Sequence, residues 1–360
     1  MRRTAIAASL FSSTIRNYRY PHYPKLMRFL PSSLLSVLFT MAPLTYSTAV
    51  TALSTPTTTG TTQNAKIMAQ NFEAFQLAKL KEAGLLGVKR PYTIVAEAVD
   101  LSPNDGIDDE DIMNNCIATK VIHFQRHGQG YHNLIGEMYR ELLGTPINLD
   151  DKNPSTNPFL RPEMTDSPLT EKGRLECAAR RSQASLLNPQ VIVVSPLHRA
   201  IQTAQLSFAD HMSATDANGK GDTGGGIPWI AHEGAREQLG LLQCNKRRAL
   251  SETRLEFPLV DFSEMMQGGD EDTLWKPEER ESPQEETERI YKFLTEFLMN
   301  RPEQEMALVG HSAWLFTMCN AVVECGDNPQ LRCLFQTSEI RTMKLSFYKT
   351  KDATALHSNE

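Results

Sequence analysis

From Lys120 onward the chain alternates short, largely apolar runs with longer stretches of helical period. The runs are Val121-Ile122-His123-Phe124, Val191-Ile192-Val193-Val194 and Met306-Ala307-Leu308-Val309. Continuous apolar runs of this length suit strands buried on both faces, as in a parallel sheet covered by helices. Helix-like patterns follow each run, over His132 to Leu143, Arg199 to Phe208 and Ala313 to Val323. That alternation predicts an α/β fold class: three layers, α/β/α, around a mostly parallel central sheet, with a loop or helical cap insertion. No internal repeat is evident.

Outside this pattern the chain reads differently. Residues 1–70 form a basic, Ser/Thr-rich leader and linker. The run Leu34 to Ala42 within it is too short to span a bilayer of about 20 helical residues, but it fits the apolar region of a secretory signal led by Met27-Arg28. Organellar transit (mitochondrion or plastid), a secretory route or a bipartite leader would each produce these residues. Leu53 to Asn64 is low-complexity and cannot bury enough apolar surface to order itself. The expected domain is 71–350 with its core at about 118–349, followed by a disordered tail at 351–360. Ser213 to Ile227, rich in glycine, is expected to be a mobile loop, and the charged stretch Lys246 to Glu288 a lid or cap.

Charge sharpens the division. The chain carries −6 overall, but residues 1–72 hold seven Lys and Arg and no acid, which puts −13 on the remainder. A body that acidic gives no general reason to expect nucleic acid or an anionic membrane as partner. No stable membrane insertion is expected after leader removal. An anionic ligand must be drawn in by a focused site. Asp100 to Asp111 nearly spells a calcium loop, but Asp105 stands where the loop's glycine is required, so it reads as a solvated connector. The six cysteines form no C-x-x-C pair and read as reduced core thiols, with no metal site implied.

Each apolar run leads to a basic residue: Arg126-His127 after the first, Arg199 (after Ser195-Pro196-Leu197-His198) after the second, His311 after the third. In doubly wound sheets ligands sit beyond the carboxyl ends of the strands, where helix N-termini also point. Two guanidiniums, two imidazoles and helix ends converging there make a phosphate pocket. The histidines His123, His132, His198 and His232 lack motif partners and read as structural. Lys246-Arg247-Arg248 reads either as a solvated charge run or as a clamp for a second anionic group.

The separated motifs His123-Phe-Gln-Arg-His-Gly-Gln-Gly-Tyr-His-Asn133, Leu169-Thr-Glu-Lys-Gly173, Ser195-Pro-Leu-His-Arg-Ala-Ile-Gln-Thr-Ala204, Arg236-Glu-Gln-Leu-Gly240 and Val309-Gly-His-Ser312 occur in this order. Over about 120–349 the chain resembles the histidine phosphatase superfamily, especially the phosphoglycerate mutase-like phosphatases of plants and fungi. The resemblance implies that His127 accepts the phosphoryl group, that Arg126, Arg199 and His311 bind it, and that Glu237 is the proton donor. Asn133 and Gln129 join the substrate-binding set. Gln129 and Glu176 depart from residues common in the family, which bears on specificity. The acid phosphatase and phytase branch, with Arg-His-Gly-x-Arg-x-Pro and a later His-Asp, is disfavoured by Gln129-Gly130-Tyr131 and His311-Ser312.

These readings imply a metal-independent phosphomonoester hydrolase with a small phosphorylated substrate and no cofactor. The alternatives are a phosphoglycerate mutase-type phosphotransferase and a non-catalytic phospholigand-binding protein. The oligomeric state stays open.

Overall fold

The computed structural model describes residues 72–99, 115–143, 147–212 and 226–350. The leader, the Asp100–Asp111 connector, most of the glycine-rich loop and the tail lie outside the described residues.

A helix at 72–82 (α1) precedes strands β1 (Tyr92–Ala98) and β2 (Cys116–Arg126). Then come α2 (Tyr131–Leu143), α3 (Glu171–Ala184), β3 (Val191–Val194), α4 (His198–Ser207), β4 (Trp229–Ala231) and α5 (Leu250–Glu256). Helix α6 (Pro283–Lys292) widens into a π turn over Phe293–Leu298, and β5 (Glu305–Gly310) follows. Helix α7 (Ser312–Thr317) likewise widens over Met318–Val322, before α8 (Pro329–Arg332) and β6 (Ile340–Lys349).

The sheet order is β1-β6-β2-β5-β3-β4. Strands β2, β5, β3 and β4 pair in parallel, while β6 pairs antiparallel with both β1 and β2. Together the apolar runs serve both faces of this sheet. Val191, Val193, Met306, Leu308, Ile122 and Phe124 pack on one face with Ile290, Leu294, Trp314 and Met318. The alternate residues Ile192, Val194, Ala307 and Val309 pack on the other with Ala200, Ile201, Ala204 and Leu250. Two covered faces make three layers, and each fully buried aliphatic or aromatic side chain contributes about 1.5–3 kcal/mol.

The stretch Lys246 to Glu288 does not stand apart as a lid. Leu250, Phe257, Val260, Phe262 and Met265 belong to the second core cluster, and Ala231 N donates to Asp261 O at 2.8 Å beside β4. Its charges turn inward as well. Asp272 and Arg236 form a salt bridge with both side chains fully buried, and Glu281 pairs at 2.7 Å with Arg289, just beyond the stretch. Matched charge is what allows so polar a segment to be core.

All six cysteines are free, four of them buried. Among the described residues no helix is long and apolar enough to cross a membrane.

Candidate active site

Strand register brings the site together. Arg126 pairs with Gly310 and Val194 with Val309, so the residues that leave β2, β5 and β3 emerge side by side. His127 N donates to Gly310 O at 3.0 Å, and Ser195 N to Val309 O at 3.0 Å. The His127 and His311 ring centroids lie 5.1 Å apart, and His311 Nε2 is 2.7 Å from Ser195 Oγ.

His127 is 2% exposed. Its Nδ1 lies 2.6 Å from the carbonyl oxygen of Gly128. A carbonyl accepts only, so Nδ1 carries the proton and Nε2 keeps a free lone pair. Burial, then Arg199 and Arg126, holds this imidazole well below its ordinary range. Its uncharged, nucleophilic form therefore persists at neutral pH. Burial and Arg199 act in the same direction on His311.

The two arginines are held by their outer nitrogens. Arg199, 1% exposed, donates from Nη1 to Cys244 O at 2.6 Å and from Nη2 to Asn245 Oδ1 at 3.0 Å. Arg126 donates from Nη1 to Phe335 O at 2.7 Å. Among the described residues, Nε of Arg126, Nε of Arg199 and Nδ1 of His311 are buried without a hydrogen-bond partner. Buried polar atoms are normally satisfied, so three orphans clustered around one histidine mark a place for a ligand rich in acceptors.

Glu237 sits across the start of α7, the helix that follows His311. Its Oε1 accepts from Trp314 N at 3.0 Å and its Oε2 from Ala313 N at 3.3 Å. Both arginines feel its charge. Asn245 secures this arrangement by accepting from Arg199 while its Nδ2 donates to Gln238 O at 2.8 Å.

Four of the remaining expectations resolve into support. Asn133 accepts from Gly130 N at 2.9 Å and fixes the turn after His127. Gln129 is buried, with Nε2 donating to Glu137 at 3.1 Å and Oε1 accepting from Thr170 at 2.9 Å. These bonds tie the loop to α2 and to the start of α3. Glu176 accepts from Gln129 N at 2.9 Å. Within Lys246-Arg247-Arg248 the two arginines are neither solvated nor free to clamp: Arg247 binds Glu233 and the carbonyls of Asp270 and Glu271, and Arg248 binds Asp166 and Glu256, while Lys246 Nζ lies 4.9 Å from the centroid of the Trp275 ring. Both guanidiniums are committed to structure.

His123 bonds Thr342 and Glu305, and His232 packs on Phe293 and Phe297, as structural histidines do. His198 pairs with Glu256 at 2.8 Å. His132 differs, because its ring centroid lies 5.3 Å from that of His127. Sequence reasoning missed it for want of a motif partner.

The sequence profile of the Histidine phosphatase superfamily (branch 1) matches residues 161–355. The match begins beyond Arg126-His127-Gly128, whose role rests on the geometry above. Phosphoglycerate mutase-like protein 1 of Arabidopsis thaliana is 31% identical over 245 residues, spanning 62% of this chain and 80% of the relative. A probable phosphoglycerate mutase of Arthroderma benhamiae is 26% identical over 210 residues, 56% of this chain and 58% of the relative. Among solved structures, a mycobacterial glucosyl-3-phosphoglycerate phosphatase matches at 18% identity and TM-score 0.35, covering 63% of this chain and 90% of that one. The phosphoglycerate mutase of Thermus thermophilus matches at 17% identity and TM-score 0.33, covering 62% and 91%.

Proposed function

Because the chain belongs to the histidine phosphatase superfamily (branch 1), we propose that it hydrolyses small phosphomonoesters through a phosphohistidine on His127. The observation that carries this reading is the Nδ1 bond of His127 to Gly128 O, which leaves Nε2 as an uncharged nucleophile beside three unpaired donors.

In the first half-reaction the Nε2 lone pair forms the N–P bond as the P–O ester bond breaks. The departing alkoxide takes a proton from Glu237. Arg126, Arg199 and His311 donate to the phosphoryl oxygens, where charge accumulates in a loose transition state. In the second half-reaction water attacks phosphorus, Glu237 takes its proton, and the N–P bond breaks to release phosphate. Two steps replace one difficult displacement. With two guanidiniums supplying positive charge, release is expected to persist in chelator.

The test is phosphate release from a panel of phosphomonoesters by wild type, His127→Ala and Glu237→Gln, with radiolabelled phosphoryl trapped on the protein. Release and label should vanish in His127→Ala, while Glu237→Gln should slow release by about 10²–10⁴-fold, the range for loss of a general acid–base. Undiminished release in His127→Ala defeats the reading. The plant and fungal relatives' names favour mutase-type transfer as the competing outcome. Faster interconversion of 2- and 3-phosphoglycerate than release from any monoester would establish it. Binding without turnover in wild type would leave a phospholigand-binding protein.

A further inference from the structure

His127 is flanked by a second imidazole besides His311. The His132 ring stands at 5.3 Å and 54° to that of His127, almost the separation of the His127–His311 pair. Its position is set by the backbone beneath it. The ring folds back over Gly130, where an added Cβ would come within 2.7 Å of both Cε1 and Nδ1 of His132 and 3.5 Å of Arg199 Cδ. Only glycine leaves that room.

The turn carrying the ring is itself clamped. Gly130 bridges Leu169, Tyr131 N donates to Pro168 O at 3.0 Å, and Ser167 Oγ lies 3.3 Å from His132 Nδ1. Ser167 is buried, so this contact holds the ring in one orientation. Burial, then Arg199, His127 and Arg126, keeps the imidazole well below its ordinary range, and it is uncharged at neutral pH. A serine hydroxyl can donate or accept at this contact; where it donates to Nδ1, the neutral ring carries its proton on Nε2. Unlike His127 and His311, His132 keeps partial exposure.

We propose that His132 is a substrate-contacting residue, its Nε2–H donating to a non-bridging oxygen of the phosphoryl group that His127 attacks. The proposal rests on the phosphohydrolase reading above. It adds a neutral donor to the charged ones, placed by the Gly130-Tyr131-His132 sequence.

Two substitutions separate hydrogen bonding from packing. His132→Phe keeps an aromatic ring over Gly130 and beside His127 but has no donor, whereas His132→Gln restores an amide N–H near the position of Nε2. The probes are p-nitrophenyl phosphate for turnover and orthovanadate as a competitive inhibitor, with thermal melting as the folding control. The phenylalanine variant should weaken orthovanadate inhibition and lower kcat/KM by about 10- to 100-fold, the range for loss of a hydrogen bond to a charged group. The glutamine variant should recover most of that loss. Equal losses in the two variants mean that the ring acts by packing alone, and no loss in either means no contact; both outcomes overturn the proposal. His127→Ala is measured alongside: an inactive His127→Ala with an unaffected His132→Phe defeats this proposal only, whereas an active His127→Ala defeats the reading beneath it.

Discussion

Replacing Gly173 by alanine tests how the loop after His127 is held. Gly173 lies in the first turn of α3, where a Cβ would stand 2.1 Å from Gln129 O and 2.8 Å from its carbonyl carbon and its nitrogen. Comfortable contact for carbon lies near 3.5–4.0 Å, so helix and loop must part by more than about 1 Å. The struck atoms are backbone and cannot swing aside. They are also pinned, since Gln129 O accepts from Thr170 N at 2.9 Å and Gln129 N donates to Glu176 at 2.9 Å. Overpacking of this kind costs about 1–3 kcal/mol, and for a chain of this size each kcal/mol lowers Tm by roughly 2–4 °C. Because the same loop positions His127, a shift of about 1 Å should also lower kcat by about 10²-fold. Scanning calorimetry and turnover of p-nitrophenyl phosphate read the two effects. Gly268→Ala, where an added Cβ meets nothing within 4 Å, is the control and should match wild type in both. A Gly173→Ala protein with wild-type Tm and kcat would refute the claim that this contact fixes the position of His127.

Ser195→Ala removes the hydroxyl 2.7 Å from His311 Nε2 inside a fully buried pair. Leaving that nitrogen unsatisfied costs about 1–3 kcal/mol; orthovanadate inhibition should weaken while label still forms on His127, and unchanged inhibition and Tm would count against a positioning role for Ser195. Glu286 offers a stability test: burial, then the charges of Glu237 and Glu281, pushes its carboxyl up to about 8 from 4.5. Between those values the folded state binds a proton that the unfolded chain has lost, so stability falls as pH rises through this window and levels off above it. Glu286→Gln removes that slope, and its melting temperature should gain on wild type steadily from about pH 5 to about pH 8; a pH-independent difference would contradict the assignment.

Strands β2, β3 and β5 were legible because a strand covered on both faces must be apolar at nearly every position, which is a local signal. The other three were not. Strand β4 is three residues long and lies at the end of the strand order, next to β3. Strand β6 carries Arg341 and Lys344, polar positions balanced by Glu339 and Glu97. Strand β1 takes its partner from the far end of the chain, Tyr92 pairing with Lys349. Pairing over that distance leaves no trace in either segment alone. The same limit applies to Lys246–Glu288, whose charge density suggested a lid or cap. Composition reports how many charges a segment has but not whether Asp272 will meet Arg236 across a buried contact.

At the site, legibility followed the backbone's regularity. Arg126, His127, Arg199 and His311 could be read together because each lies within a few residues of a strand end, and parallel strands in register deliver such positions to one edge. His132 lies on the first turn of a helix, where its direction depends on what the preceding loop leaves empty. The loop contains two glycines with different tasks. A Cβ at Gly128 would strike Cys177 Sγ and Gly173 O, both at 2.6 Å, whereas at Gly130 it would strike the His132 ring itself. Gly128 thus lets the loop approach α3, and Gly130 lets a side chain two residues later turn back toward His127. The spacing Gly130-x-His132 was therefore the available sign that this histidine points inward.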